Sequence, residues 1–236
     1  MQDEVAKHTK KVFQELKNPG HSIREKIIEI IIEIGIIVFA VTLSIWLHNY
    51  SEHRHEQDVA NEFLLGLRKD LQEDIKSLEE NRNTISNLDA NYTYLLKIKK
   101  TDPENEQVSR QIHLHLLYDL TTTRLNTARY EGFKSSGKIE TISNETLREN
   151  ILNYYQQKYT TITDLEEFLN NWQLKVLDLD LNKDEKGSIK EFVTSDKMKG
   201  VLGLGSGNFK NSIQNYSNAI KKANEIIKEI DLETKK

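Results

Sequence analysis

Apolar and polar positions divide this chain into one continuous hydrophobic stretch and a much longer amphipathic remainder. Residues 27–47 read IIEIIIEIGIIVFAVTLSIWL, interrupted only by Glu29 and Glu33. Such a 21-residue helix rises about 31 Å, close to the hydrocarbon thickness of a bilayer. No small-residue cleavage site follows, and a polar helical pattern continues directly, so the stretch predicts a permanent single membrane span rather than a signal peptide. Beyond it, Leu64, Leu71, Leu78, Ile85 and Tyr92 recur every seven residues, with Leu67, Leu88 and Leu95 at the second apolar position. Asp74 and Asn81 take that second position in the middle of the seam, where polar residues set register at a cost in stability. The span therefore runs on into a stalk helix ending near Lys100, about 110 Å in all, with a break at Gly66 left open.

Later periodicities predict helices over 104–122, 125–136, 145–177 and 208–232. Gly137 stands where a helix C-cap glycine belongs, and Ser143 supplies the next start. In the third of these helices the inward position falls on Tyr154 or Tyr155. The stretch 178–207 is polar and carries Gly200, Gly203, Gly205 and Gly207; it predicts a flexible turn. At the other end, Val5, Thr9, Val12, Phe13 and Leu16 recur at helical spacing among lysines, which predicts a short amphipathic helix on the membrane surface. Ser22 is the expected cap of the span, with Glu25 three residues on. The organisation expected is an amphipathic helix over 1–21, a transmembrane helix over 22–50 and a helical stalk and bundle over 51–236. The fold class is all-α, with an antiparallel extramembrane bundle.

Composition agrees with a single span. The chain is 30% charged, with a mean hydropathy of −0.63. Five basic residues lie in the seventeen positions before the span, but only Arg54 in the twenty after it. The positive-inside rule places the N-terminus in the cytoplasm and the C-terminal domain outside it. With no cysteine there is neither a disulfide framework nor a thiolate metal site. A net charge of −4 gives no reason to expect nucleic-acid binding.

Candidate chemistry is sparse. Glu29 and Glu33 are the only ionisable groups in the span and share one helical face. A mid-bilayer charge costs about 2.5–3.5 kcal/mol, while the fourteen Ile, Leu, Val and Phe residues of the span contribute about −4 to −8 kcal/mol together. Insertion therefore tolerates the pair, which could face an oligomer interior, an ion path or a partner's cation. Ala40 and Ser44 prolong that face as a small-residue contact strip. His48, Glu52 and His55 share a face just past the span and could hold a metal across an oligomer seam. Asp180, Asn182, Asp184, Ser188 and Glu191 fall at calcium-loop positions, yet Glu185 occupies the position where the sharp turn demands glycine. A charged surface turn is the simpler reading. His113 and His115 diverge on their helix. The glycines at 200–207 follow no strand and precede no Lys-Ser/Thr, so they are no phosphate loop. No pattern here points to catalysis or to a cofactor.

Two stretches carry a resemblance. The run from Glu33 to Trp46 (EIGIIVFAVTLSIW), followed by Asn49 and Glu52-His53-Arg54, and the stalk segment Phe63 to Leu71 form the first. The second is Tyr130-Glu131-Gly132-Phe133-Lys134-Ser135-Ser136-Gly137. Together they resemble a family of small single-pass membrane proteins of Bacteroidota built around a domain of unknown function. Gly132, where a bulkier residue is usual, and the juxtamembrane histidines depart from the pattern. The resemblance implies topology and compartment, a bacterial inner membrane with a periplasmic domain, and no activity. It also marks Tyr130, Lys134, Ser135 and Ser136 as either a capped helix end docked on the stalk or a partner-binding corner. The function expected is a non-enzymatic scaffold, adaptor or accessory subunit. Its expected partners are the lipid bilayer and either further copies of itself or other envelope membrane proteins. The alternative is a small homo-oligomeric ion channel with a Glu33 ring, gated or sensed by the bundle.

Overall fold

A computed structural model describes Lys10 and residues 23–116, 118–184 and 187–235, less the side chains of Ile23, Glu25 and Lys26. The amphipathic helix expected over 1–21, the Ser22 cap and Glu185 lie outside the described residues. Among the described residues the structure is helical and no strand occurs. Two compact units meet at residues 58 and 59, Met1–Asp58 and Val59–Lys236.

Helix α1, Ile23–Lys97, is unbroken. Gly66 is no hinge: a Cβ there would lie 2.4 Å from Cζ of Arg129, so the glycine is a saddle across which that arginine lies. In the first unit the apolar stretch of α1 is exposed all round, with Phe39 66% and Ile31 62% accessible. In the second unit the heptad positions Leu67, Leu71, Leu78 and Leu95 are wholly buried.

The second unit adds α2 (Glu106–His115), α3 (Ala128–Ser135), a 3₁₀ turn (Lys138–Thr141), α4 (Glu145–Asn153), a π turn (Tyr154–Lys158), α5 (Tyr159–Leu181), α6 (Ile189–Thr194) and α7 (Asp196–Glu233). They enclose two apolar clusters. One joins Ile85 and Tyr92 of α1 to Ile162 and Leu169 of α5 and to Leu202 and Phe209 of α7. The other joins Leu64 and Leu67 to Tyr130, Ile151, Tyr154 and Ile226. Ile75 packs against both.

Four local expectations are corrected by this packing. First, the helix expected to reach 122 stops at His115, and residues 118–127 run as a non-helical strap. Three consecutive β-branched residues, Thr121 to Thr123, disfavour helix, and neighbouring side chains satisfy the strap's backbone instead. Asn170 accepts from the Thr121 N–H at 3.0 Å and donates to its carbonyl at 2.7 Å. Glu166 accepts from the Thr123 N–H at 2.7 Å, and Asp74 from the Asn126 N–H at 2.9 Å. Second, the glycines at 200–207 are inside α7, which starts at Asp196 behind the Ser195 cap. Third, Asn144 rather than Ser143 caps α4, accepting from the Leu147 N–H at 3.1 Å. Fourth, the helix expected over 145–177 is interrupted by the π turn and extends to Leu181; the added residue turns both Tyr154 and Tyr155 inward.

The end of α1 shows how tertiary contacts terminate a helix. The last carbonyls of a helix lack the i+4 donor; here the Leu95 carbonyl takes the Ile98 N–H at 3.3 Å, and a lysine serves it together with those of Leu96 and of Ile98 just past the helix. The Lys199 ammonium donates to those of Leu95, Leu96 and Ile98 at 2.8, 2.8 and 2.7 Å. Burial lowers the Lys199 pKa, while Asp102 acts in the opposite sense.

Candidate functional site

The signature Tyr130 to Gly137 folds into a corner held by α1. Tyr130 is wholly buried, its ring stacked on Tyr155 at 4.4 Å between centroids. Lys134 carries its ammonium 5.5 Å above the same ring. Phe133 lies flat on Phe63 of α1, centroids 3.8 Å apart and planes 7° from parallel. Arg129 crosses Gly66 and donates through Nε to Asp70 at 2.8 Å. The helix ends as its serines suggest, with Ser135 Oγ donating to the Gly132 carbonyl and Ser136 Oγ to that of Phe133. Gly137 adopts φ +73°, the left-handed conformation that glycine takes at no steric cost.

A cleft of about 430 Å³ lies beside this corner, walled by Val59, Glu62 and Phe63 of α1 and by Arg129, Gly132 and Phe133 of α3, with Ala128, Ser136 and Lys138 completing it. A second cleft of about 320 Å³ shares Ala128 and Arg129 and includes Asp70 and Asn126. Of the four residues the sequence singled out at this corner, Ser136 lines the larger cleft, while Tyr130 is buried and Lys134 and Ser135 lie outside its lining. The sequence did not single out Arg129, Phe63 or Phe133 as its walls, because each gains meaning only from a partner some sixty or seventy positions away in the chain.

Two buried carboxyl groups hold the strap. Glu166 accepts from Asn81 Nδ2 at 3.4 Å and from the hydroxyls of Thr123 and Tyr216. Burial pushes the Tyr216 phenol up, and its bond to Glu166 adds to that. Asp74 accepts through Oδ1 from both the backbone and the side chain of Asn126. Its Oδ2 is buried with no hydrogen-bond partner among the described residues. Burial raises its pKa to about 6; Asn126 opposes the shift, and the charges of Asp70 and Glu73 add to it. Asp74 and Asn81 were legible as polar seam positions. That both face the strap was not.

The remaining candidates do not converge on one site. Glu29, Ala40 and Ser44 are exposed and Glu33 is half-exposed on α1. Ser44 Oγ donates to the Ala40 carbonyl at 2.8 Å, so that hydroxyl is satisfied within its own helix. His48 Nε2 approaches Glu52 Oε2 at 3.9 Å, and His53 pairs with Gln57 at 3.0 Å. Of the calcium-loop residues, Asp180 sits in the last turn of α5 with Lys183 at 2.9 Å. Asn182 bonds back to Asp178, and Glu191 closes the capping box of α6 with Ser188. Asp184 lies between these helices. Among the described residues no group of three or more His, Asp or Glu side chains is placed to hold a metal ion.

Comparison with family models, curated proteins and solved structures finds no match for this chain.

Proposed function

We propose that the chain is a membrane-anchored, non-enzymatic scaffold or adaptor whose helical domain presents the α3 corner to a partner. One observation carries the reading. The helix segment 27–47 is long and apolar enough to cross a bilayer and buries none of that surface, whereas the same helix buries its heptad positions after residue 59. Apolar surface exposed on every side of a helix calls for lipid or a partner. Polar groups in the stretch agree, since Thr42 and Ser44 return their hydroxyls to the carbonyls of Val38 and Ala40. Trp46 and Tyr50 stack at 5.8 Å where the apolar run ends, as interfacial aromatics do.

In this reading the protein lies in a bacterial inner membrane with its N-terminus cytoplasmic and residues 51–236 periplasmic, an orientation supported by the basic flank. Cross-helix partners support an antiparallel bundle. Arg68 pairs with Asp231, Asp89 with Ser206, and the carbonyls of Leu95 to Ile98 with Lys199, so α7 descends as α1 ascends. Self-association would use the span, where Ala40 and Ser44 allow close approach.

The absence of cysteine makes topology directly testable. In intact spheroplasts, Ser135→Cys should react with a membrane-impermeant maleimide and Lys17→Cys should not; the opposite pattern overturns the orientation. Native mass spectrometry of the full-length protein from lipid nanodiscs tests the role. A complex with a second protein supports the adaptor. A closed homo-oligomer alone, with ion flux that Glu33→Gln abolishes, replaces it with the channel.

A further inference from the structure

The two carboxyl groups that hold the strap differ in how well they are met. Both oxygens of Glu166 accept hydrogen bonds, from Asn81, Tyr216 and the hydroxyl and N–H of Thr123. Asp74 is met by Asn126 through Oδ1, and its Oδ2 is buried with no hydrogen-bond partner among the described residues. We propose that Asp74 is a proton-operated latch: protonated, it secures the end of the strap and the start of α3 on α1; ionised, it shifts residues 125–129 toward a lifted state. The latch is a property of the domain and goes beyond the adaptor reading without resting on it.

The surroundings of Asp74 suit a neutral carboxyl. The hydroxyls of Tyr130, Tyr154 and Tyr155 are likewise buried without partners among the described residues. The π turn carries two of these phenols inward, and Tyr155 stacks on Tyr130. Burial pushes the Tyr154 and Tyr155 phenols well up, and the charge of Asp74 adds to it, so both stay neutral. The charges acting on Asp74 are those of Asp70 and Glu73, its neighbours on α1, and both are negative. On the α3 side the cation is Arg129, which donates to Asp70 at 2.8 Å. The strap contributes the uncharged Asn126, and α7 brings Ala223, Ile226 and Ile230 to the apolar cluster that holds the tyrosines. Ionised Asp74 is therefore a buried negative charge beside other negative charges. Neutral Asp74 keeps its Asn126 bonds without that penalty.

Solvent is close on one side. Asn126 is exposed, and it lines the cleft of about 320 Å³ together with Asp70 and the rest of 125–129. Lifting that short segment brings water to Asp74 and leaves the other anchors of the strap in place, Thr121 on Asn170 and Thr123 on Glu166. Closed, the carboxyl has a pKa of about 6 against an ordinary 3.8. The closed form therefore holds the proton more tightly, so opening gains as pH rises through that window and is suppressed below it.

Amide exchange of the full-length chain in phosphatidylcholine nanodiscs, resolved to single residues by mass spectrometry and corrected for the intrinsic rate at each pH, reads the latch. The protection factor of the Asn126 amide should fall about tenfold between pH 5 and pH 7.5, the share of the whole shift that this interval spans. Protection of the Thr121 amide, held by the side chain of Asn170, which does not titrate, should stay constant. Asp74→Asn keeps an acceptor for Asn126 but carries no charge, so its Asn126 protection should not vary with pH. Glu73→Gln, at an exposed position, keeps an acceptor for Asn126 Nδ2 and removes a repelling charge. Its fall should be smaller and level off at lower pH, which keeps the test decisive should Asp74→Asn not fold.

Constant protection of Asn126 in the wild-type chain overturns the proposal. So does an equal fall at Thr121, which would make the change a loosening of the whole strap. A fall that persists in Asp74→Asn would assign the proton to another group, and a Glu73→Gln profile identical to wild type would remove Asp74 from the response; either result also ends the latch.

Discussion

Two glycines two positions apart in α7 should respond to the same substitution with opposite signs. Replacing Gly203 by alanine places a methyl group on an open face, where a Cβ meets nothing within 4 Å. The change then expresses helix propensity alone, a gain of about 0.8–1 kcal/mol. At Gly205 the same methyl would lie 2.7 Å from Cε2 of Tyr92 and 2.8 Å from Nε1 of Trp172. Tyr92 is wholly buried, edge-on to Phe209 at 4.9 Å, and its hydroxyl donates to Gln173 Oε1 at 3.1 Å. Its ring cannot retreat without disturbing those neighbours. Overpacking of this kind costs about 1–3 kcal/mol, which cancels or exceeds the propensity gain. Gly203→Ala and Gly205→Ala should therefore differ by about 1–3 kcal/mol, with only the first above wild type. At about 2–4 °C per kcal/mol for a chain of this size, thermal unfolding of the full-length protein in detergent, followed by circular dichroism, resolves them. A Gly205→Ala chain as stable as Gly203→Ala would refute the close packing of α7 on Tyr92.

Asp74 predicts a pH dependence. Its folded pKa, about 6 against an ordinary 3.8, means the folded state binds the extra proton, so stability should fall as pH rises through that window. The loss approaches about 3 kcal/mol above pH 6, and Asp74→Asn should remove that part of the slope in urea titrations at pH 4 and pH 7; an unchanged slope refutes it. Lys199→Met should cost about 1.5–3 kcal/mol by removing the charged donor to the carbonyls of Leu95, Leu96 and Ile98, of which only that of Leu95 keeps a backbone donor, Ile98 N–H, read as a lower urea midpoint; an unchanged midpoint would show the cap to be dispensable. Asn170→Ala should accelerate hydrogen exchange at the Thr121 amide, and less at Thr123, which keeps Glu166, while the amides of α1 stay protected. Uniform acceleration across the domain would mean that the strap is not an independently held element.

Much of the helical content was legible because helix and span signals are local. The seven-residue recurrence from Leu64 to Tyr92 states which face of α1 is buried whatever packs on it, and the run from Ile27 to Leu47 states its apolar length. Gly137 was legible for the same reason, since a left-handed helix end is a property of a few adjacent residues. At the corner, Tyr130 and Lys134 drew notice as part of a motif, but its walls did not. Phe63 and Phe133, or Asp70 and Arg129, carry no mutual signal along the chain.

Where the sequence misled, tertiary context reversed a local preference. Four glycines in eight residues should break a helix. Ser195 caps α7, Gly205 is needed for the approach of Tyr92 and Trp172, and the apolar stripe of α7 buries enough surface to hold the rest. The strap shows the converse. Its residues leave the helix because Asn170 and Glu166, at Thr121 and Thr123, and Asp74, at Asn126, supply hydrogen bonds that an α-helix would otherwise have to provide. The sequence by itself determined the apolar span, the helical class and the buried stripe of α1, all short-range periodicities. Only the tertiary structure decided where helices yield to irregular chain, which polar groups are buried and which cleft is open. Those outcomes depend on residues distant in sequence competing for the same backbone groups and the same space.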